Sequence, residues 1–277
     1  KKDKRIILLF GDISVFLFKE FQEKYPKQFY NIGICENTIV SAAAGLSSQG
    51  YIPFVHTIAP FITDRSFEQI KLDLCYNDFP ANIVTIGSTF DYAWDGPSHH
   101  TLSDIEMLRT LPNMELIVPG SAEEVDILMK QRYNSKLTTY FRLSDNPHNL
   151  KLKNIAFNKA NILKQSNSKL TIFTNGPLLE NVNKACEDFD VNLIYFNTIK
   201  PIDKKTILKF KNTKILIISE SYGLYEAVSH IDGIYADFYG IKDKFYSTYG
   251  NITELRKKIG LDISSIKKII KKNLGSL

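Results

Sequence analysis

Short apolar runs recur along the chain with amphipathic stretches between them, and this alternation constrains the fold more than any other feature. Arg5–Phe10, Phe29–Cys35, Tyr51–Thr57, Asn82–Gly87, Glu115–Pro119 and Thr139–Leu143 read as strands. Asn37–Gln49 reads as a helix, with Ile39, Ala42, Ala43 and Leu46 on one face and Gly50 as its stop. Ser66–Leu74 and Ala122–Arg132 read likewise. Strands separated by helices favour a parallel sheet, because parallel neighbours need a crossover. Lys151–Ser168 is polar and rich in lysine, and a second α/β set follows it. Its strands are expected at Leu170–Thr174, Val191–Phe196, Ile215–Ser219 and Ile234–Phe238. Its helices are expected at Leu178–Phe189, Lys204–Phe210, Leu224–Ile231, Glu254–Ile259 and Ser264–Lys272. The expectation is an α/β protein of two parallel or mixed-sheet domains, residues 1–152 and 153–277. A strand at residue 5 leaves no room for a covering helix before it, so the N-terminus is expected to be truncated.

Composition narrows the function. The 277 residues are 44% apolar, enough for sizeable cores. No apolar run approaches the ~18 residues of a membrane span, and the basic start is followed by too short a run for a signal peptide. Cys35, Cys75 and Cys186 are far apart and form no zinc or disulfide pattern, so a reducing cytoplasm is expected. Residues 1–150 carry 14 Lys/Arg against 18 Asp/Glu, while residues 151–277 carry 21 against 12. Part of that basic excess is Lys267, Lys268, Lys271 and Lys272 around Ile269 and Ile270, which reads as a solvated helix face. Nothing interleaves aromatic with basic residues, so nucleic acid is not an expected partner.

Three stretches could carry chemistry. Tyr30-Asn31-Ile32-Gly33-Ile34-Cys35-Glu36-Asn37 delivers Glu36 to the carboxyl end of a strand, where α/β sheets bind ligands. The helix that follows would favour its charge through the amino-terminal dipole, and Ala42, Ala43, Ala44 and Gly45 permit close approach. A residue that merely caps the helix is the competing reading of Glu36. Asp95-Gly96-Pro97-Ser98-His99-His100 places two histidines in a Gly-Pro turn, where an imidazole could meet a substrate oxygen. A solvated loop is the alternative there. Ala59–Gln69 sets Phe61 and Phe67 beside Arg65 at a loop-to-helix junction. Gly11-Asp12 closes the first strand and brings Asp12 to the same sheet edge as Glu36.

In that order, G-I-C-E-N-x-x-x-x-A-A-A-G-L, P-F-x-x-x-R-x-F-E-Q and D-G-P-S-H resemble the pyrimidine-binding domain of transketolase-like thiamine diphosphate enzymes, from about Ile6 to Pro119. Asn175-Gly176, Lys200-Pro201-Ile202-Asp203 and Ile218-Ser219-Glu220 resemble that family's C-terminal domain. The resemblance implies roles. Glu36 would hydrogen-bond the cofactor's aminopyrimidine and drive its activation, as a carboxylate of matched basicity can. Phe61 would pack on the pyrimidine, Asp12 would lie near the thiazolium, and Arg65 would border the cofactor. Asp95, His99 and His100 would meet hydroxyls of a sugar, with His99 also catalytic.

The family's other module holds the diphosphate through Mg²⁺ with a Gly-Asp-Gly turn and a later Asn. No Gly-Asp-Gly occurs here, and neither Asp95-Gly96 nor Asp232-Gly233 is preceded by glycine. The resemblance therefore implies no metal ligand in this chain and a separate diphosphate-binding subunit, in an α₂β₂ particle. The expected reaction is transfer of a two-carbon ketol unit between sugars. A β subunit of a 2-oxoacid dehydrogenase and a split deoxyxylulose-phosphate-synthase-like enzyme are the alternatives; D-G-P-S-H argues against the first. Asp145 stands where the family carries a phosphate-binding Arg, and Phe16 and Gly87 replace polar residues. Arg142 or Arg65 is expected to take over the phosphate if one is bound.

Overall fold

The computed structural model describes residues 3–247 and 249–275. Among these, the strands in chain order are β1 (Ile6–Phe10), β2 (Phe29–Asn31), β3 (Ile52–Ile58), β4 (Asn82–Ile86), β5 (Met114–Ile117) and β6 (Thr138–Arg142). They continue with β7 (Asn161–Lys164), β8 (Leu170–Asn175), β9 (Asn192–Phe196), β10 (Thr198–Lys200), β11 (Lys214–Ser219) and β12 (Ala236–Gly240). The first sheet runs β10-β5-β6-β4-β3-β1-β2 and the second β12-β11-β8-β9-β7. Pairing is parallel except at two edges, where β10 and β7 run antiparallel. The α/β class with two mostly parallel sheets is as the alternation predicts.

Burial explains why the central strands read so clearly. Every residue of β5, β6, β8 and β9 is buried, so these strands are covered on both faces. The main core is continuous between the sheets: Ile105, Leu108 and Val118 pack in one cluster with Phe173, Ile194, Phe196 and Leu224. The last helix, Ile263–Leu274, buries Ile266 and Ile270 and turns Lys268, Lys271 and Lys272 outward. The lysine cluster is thus a solvated face.

Several details differ from the sequence reading. β10 was read as connection, yet it pairs Thr198 with Ile117 and completes the first sheet from beyond residue 152. β7 lies inside the polar Lys151–Ser168 stretch. The strand expected to run to Cys35 stops at Asn31, and the expected Ser66–Leu74 helix begins earlier, as Ala59–Arg65, and ends in a π-helical turn at Ile70–Tyr76. Cys75 and Cys186 are buried, and burial pushes their thiols up to about 11 and about 12; all three cysteines are free.

Parallel pairing brings the carboxyl ends of β1, β2, β3 and β4 to one edge. At the close of β1, Gly11 lets the chain pass within reach of β3: a Cβ there would meet Thr57 Oγ1 at 2.9 Å. The opposite edge has a depression of about 330 Å³ lined by Arg5, Tyr51, Asn82 and Tyr133, on the side of the sheet where α/β folds do not usually bind ligands.

Candidate functional site

The site is built where β1 to β4 end. A turn after β2 leads straight into the helix Glu36–Ser48, so Glu36 sits in its first turn. There the unpaired backbone N–H groups favour a carboxylate. Glu36 is buried, at 4% exposure. A single Arg65 guanidinium covers it, Nη1 lying 3.3 Å from Glu36 Oε1, and the Arg65 side chain itself is 49% exposed.

Phe61 comes from the helix Ala59–Arg65, which starts as soon as β3 ends. Arg65 lies one turn further along the same helix, and its Cζ stands 4.0 Å above the centre of the Phe61 ring. His99 meets the ring of Phe61 edge-on, with centroids 4.9 Å apart. Glu36, Arg65, Phe61 and His99 therefore form one contiguous row drawn from two helices and the Pro97–His99 turn. Asn37 holds the row's backbone: its Nδ2 donates to the Arg65 carbonyl at 2.8 Å and to Gln69 Oε1 at 2.9 Å.

Of the other expected residues, Asp12 stands at the same edge with its backbone in the left-handed region (φ +61°). Its carboxylate accepts from Asn31 Nδ2 at 2.8 Å. Asp95 is exposed in the turn that carries His99, and Ser98 Oγ lies 3.0 Å from His99 Nδ1. His100 turns the other way, edge-on to Phe90 at 5.0 Å, with Nε2 buried and unpaired. Burial, followed by the charge of His99, pushes its imidazole below the ordinary histidine range.

Arg142 requires a correction. It is 2% exposed and spends its donors internally: Nε on Asp104 Oδ2 at 2.7 Å, Nη1 on Thr89 Oγ1 at 3.2 Å and Nη2 on the Thr101 carbonyl at 2.6 Å. A guanidinium so engaged cannot meet a substrate phosphate. Its role is to hold the loop between β4 and the helix Asp104–Arg109, which carries the D-G-P-S-H turn.

Tyr92 was missed by sequence reasoning. Its ring faces His99 at 6.4 Å and Trp94 at 5.6 Å. Gly87, at φ +84°, makes room for it, since a Cβ there would stand 2.6 Å from Tyr92 Cε2. Burial pushes the Tyr92 hydroxyl well above the usual tyrosine range, and the charges of Asp145 and Asp91 add to this. Asp145 is exposed, and its charge acts on the Tyr92 hydroxyl. Its loop is fixed by Asp91, which accepts from Ser144 Oγ, the Asp145 backbone N–H and Asn146 Nδ2 at 2.8–3.1 Å. The signal for Tyr92 was its place five residues after a glycine that replaces a polar residue, in the loop leading to D-G-P-S-H.

A buried carboxylate beside an aromatic face and a flat cation is a donor set that fits an aminopyrimidine. The Arg65 guanidinium touches both, donating to Glu36 and standing over the Phe61 ring.

The family described as "Transketolase, pyrimidine binding domain" matches residues 1–147. A Rhodococcoides fascians protein described as an uncharacterized 33.6 kDa protein in the fasciation locus is 31% identical over 205 residues, covering 73% of this chain and 64% of its own. A 1-deoxy-D-xylulose-5-phosphate synthase of Clostridium perfringens is 28% identical over 275 residues, covering 91% of this chain and 43% of its own. This chain thus spans less than two thirds of the length of these relatives. A solved split gene transketolase, described as an inactive β4 tetramer, has a TM-score of 0.83 at 25% identity, covering 99% of this chain and 93% of that one.

Proposed function

Because this chain belongs to the transketolase pyrimidine-binding domain family, we propose that it is one half of a thiamine diphosphate-dependent transketolase that moves a two-carbon ketol unit between sugars. The observation that carries this reading is the buried Glu36 carboxylate at a helix N-terminus beside the Phe61 ring. Bound there, the cofactor supplies the carbon nucleophile and the store for the transferred fragment's electrons. Glu36 accepts a hydrogen bond from a ring nitrogen of the pyrimidine and holds or releases one proton at that atom. Phe61 gives the pyrimidine a face to stack on. Asp12 borders the thiazolium end. His99 gives and takes a proton at a substrate oxygen, and Asp95 accepts from a neighbouring hydroxyl. His100 packs the turn against Phe90 and keeps His99 turned to Phe61.

The diphosphate and its Mg²⁺ are assigned to a second subunit; the likeness over 93% of a split gene transketolase chain supports this division. Phe16, Leu17 and Ile34 are exposed apolar residues following β1 and β2, beside the site, and they suit burial against that partner. An α₂β₂ particle gives each of two sites one pyrimidine half and one diphosphate half. The isolated chain is expected to show no turnover and to bind thiamine diphosphate weakly. Tight Mg²⁺-dependent binding to this chain alone, measured by calorimetry, would contradict the division of labour.

The substrate wall supports an unphosphorylated donor. Asp95 is exposed in the turn that carries His99, the Asp145 charge acts on Tyr92, and Arg142 is engaged internally with Asp104. A phosphate brought near two carboxylates is repelled. The ratio of kcat/KM for a ketose phosphate to that for the free ketose is expected to be one or less in the assembled enzyme. A preference of more than about tenfold for the phosphate, worth ~1.4 kcal/mol, would overturn the assignment.

A second reading is favoured by the deoxyxylulose-phosphate synthase similarity: a two-chain synthase that takes its two-carbon unit from a 2-oxo acid. Release of labelled CO₂ from pyruvate by the assembled enzyme separates the two, since ketol transfer from a ketose releases none.

A further inference from the structure

Arg65 makes two contacts that few side chains can make together. Its Nη1–H donates to Glu36 Oε1 at 3.3 Å, and its Cζ stands 4.0 Å over Phe61. A guanidinium can do both because it is a flat, delocalised cation with donors in its plane and a weakly hydrated face. An aminopyrimidine hydrogen-bonded through a ring nitrogen has the same outline: flat, with donors in the plane and a π face. It needs the same carboxylate oxygen and the same aromatic surface. The two cannot be seated together.

We propose that Arg65 is a placeholder, occupying the pyrimidine seat in the free chain and swinging outward when the aminopyrimidine arrives. The inference rests on the role given above to Glu36 and Phe61. Its physical purpose is to keep the Glu36 carboxylate compensated before the cofactor is present, since a buried charge without a partner is costly. The release is built in as well. The Arg65 side chain is half exposed, so solvent can take over its charge as it leaves. Its backbone stays fixed, because Asn37 Nδ2 holds the Arg65 carbonyl at 2.8 Å. Only the side chain has to move.

A placeholder reduces the affinity of the incoming ligand by the fraction of time the seat is taken. Removing Arg65 should therefore tighten binding, the opposite of what removing a ligand contact does. The full chain provides its own reporter. Trp94, its one tryptophan, is linked to the site through Tyr92 at 5.6 Å and His99 at 6.4 Å.

The experiment is a fluorescence titration of the full chain with 4-amino-5-hydroxymethyl-2-methylpyrimidine into the millimolar range, with thermal melting to confirm folding. Arg65→Ala and Arg65→Gln are expected to bind about three- to tenfold more tightly than the wild type, the range set by one half-exposed ion pair and one cation–π contact. Adding Glu36→Gln to Arg65→Ala should remove the gain. Raising salt to about 0.5 M should tighten the wild type and leave Arg65→Ala unchanged, because the ion pair is screened. Equal affinity for wild type and Arg65→Ala, with binding lost in Glu36→Gln, would overturn the placeholder and leave the Glu36 role standing. Weaker binding by Arg65→Ala would make Arg65 a ligand contact and overturn it too. Binding indifferent to Glu36→Gln, or absent from every variant, would bring down the Glu36 role and the placeholder with it.

Discussion

Replacing Glu36 by glutamine is expected to lower turnover of the assembled two-chain enzyme by about 10²–10⁴-fold, the range that a positioned acid–base group contributes. The amide keeps the volume of the side chain and can still hydrogen-bond, but it cannot exchange a proton at the ring nitrogen. The fold should survive. Among the described residues Glu36 is paired through the half-exposed Arg65 alone, and such pairs are worth about 1 kcal/mol or less. Steady-state rates and a melting curve on the same preparation decide the matter. An unchanged rate would remove Glu36 from the chemistry. A collapsed melting temperature would instead make it a structural residue, the cap that sequence reasoning weighed against catalysis.

Asp104→Ala should have the largest effect on stability, about 3–5 kcal/mol, because it strands a buried guanidinium. Asp104 and Arg142 are almost completely inaccessible, and Asp104 Oδ2 accepts from both Arg142 Nε and the Tyr140 hydroxyl at 2.7 Å. The loss would be a large fraction of the ~5–15 kcal/mol that holds an ordinary domain together. Urea denaturation gives the value directly. Asp104→Leu combined with Arg142→Met should recover much of it, since replacing both charges with apolar groups leaves no buried charge unpaired. A single-variant loss below about 1 kcal/mol would show that water reaches the pair, contrary to its burial.

These two residues illustrate what the sequence reveals and what it hides. Glu36 was legible because its chemistry is local: a strand, a turn and a helix start lie within eight residues, and their spacing alone puts the carboxylate at a sheet edge. The turn holding Asp95 and His99 was legible for the same reason. Arg142 was misread because its partner is 38 residues away in the chain. Seen alone, an arginine at a strand end looks available, and nothing in Phe141-Arg142-Leu143 announces Asp104. Tyr92 escaped notice because a loop tyrosine has no pattern; its position follows from Gly87, whose open conformation becomes visible only in space. Buried strands such as β6 and β8 declared themselves by β-branched and aromatic residues, whereas β7 and β10 did not. Four and three residues are too few for a period to show.

The short β10 has a consequence for how the chain folds. Six of the first sheet's strands are present by residue 142, yet the place beside β5 is filled only by Thr198 and Lys200. The closing partner lies about 80 residues downstream, a long loop to shut before its contacts return anything. A nascent chain stopped between the sheets would carry β5, with Met114, Leu116 and Ile117, as a bare edge, the kind that recruits another copy. The first sheet is thus sealed only after β7, β8 and β9 of the second have been made, and the two sheets are interleaved in the order in which the ribosome delivers them.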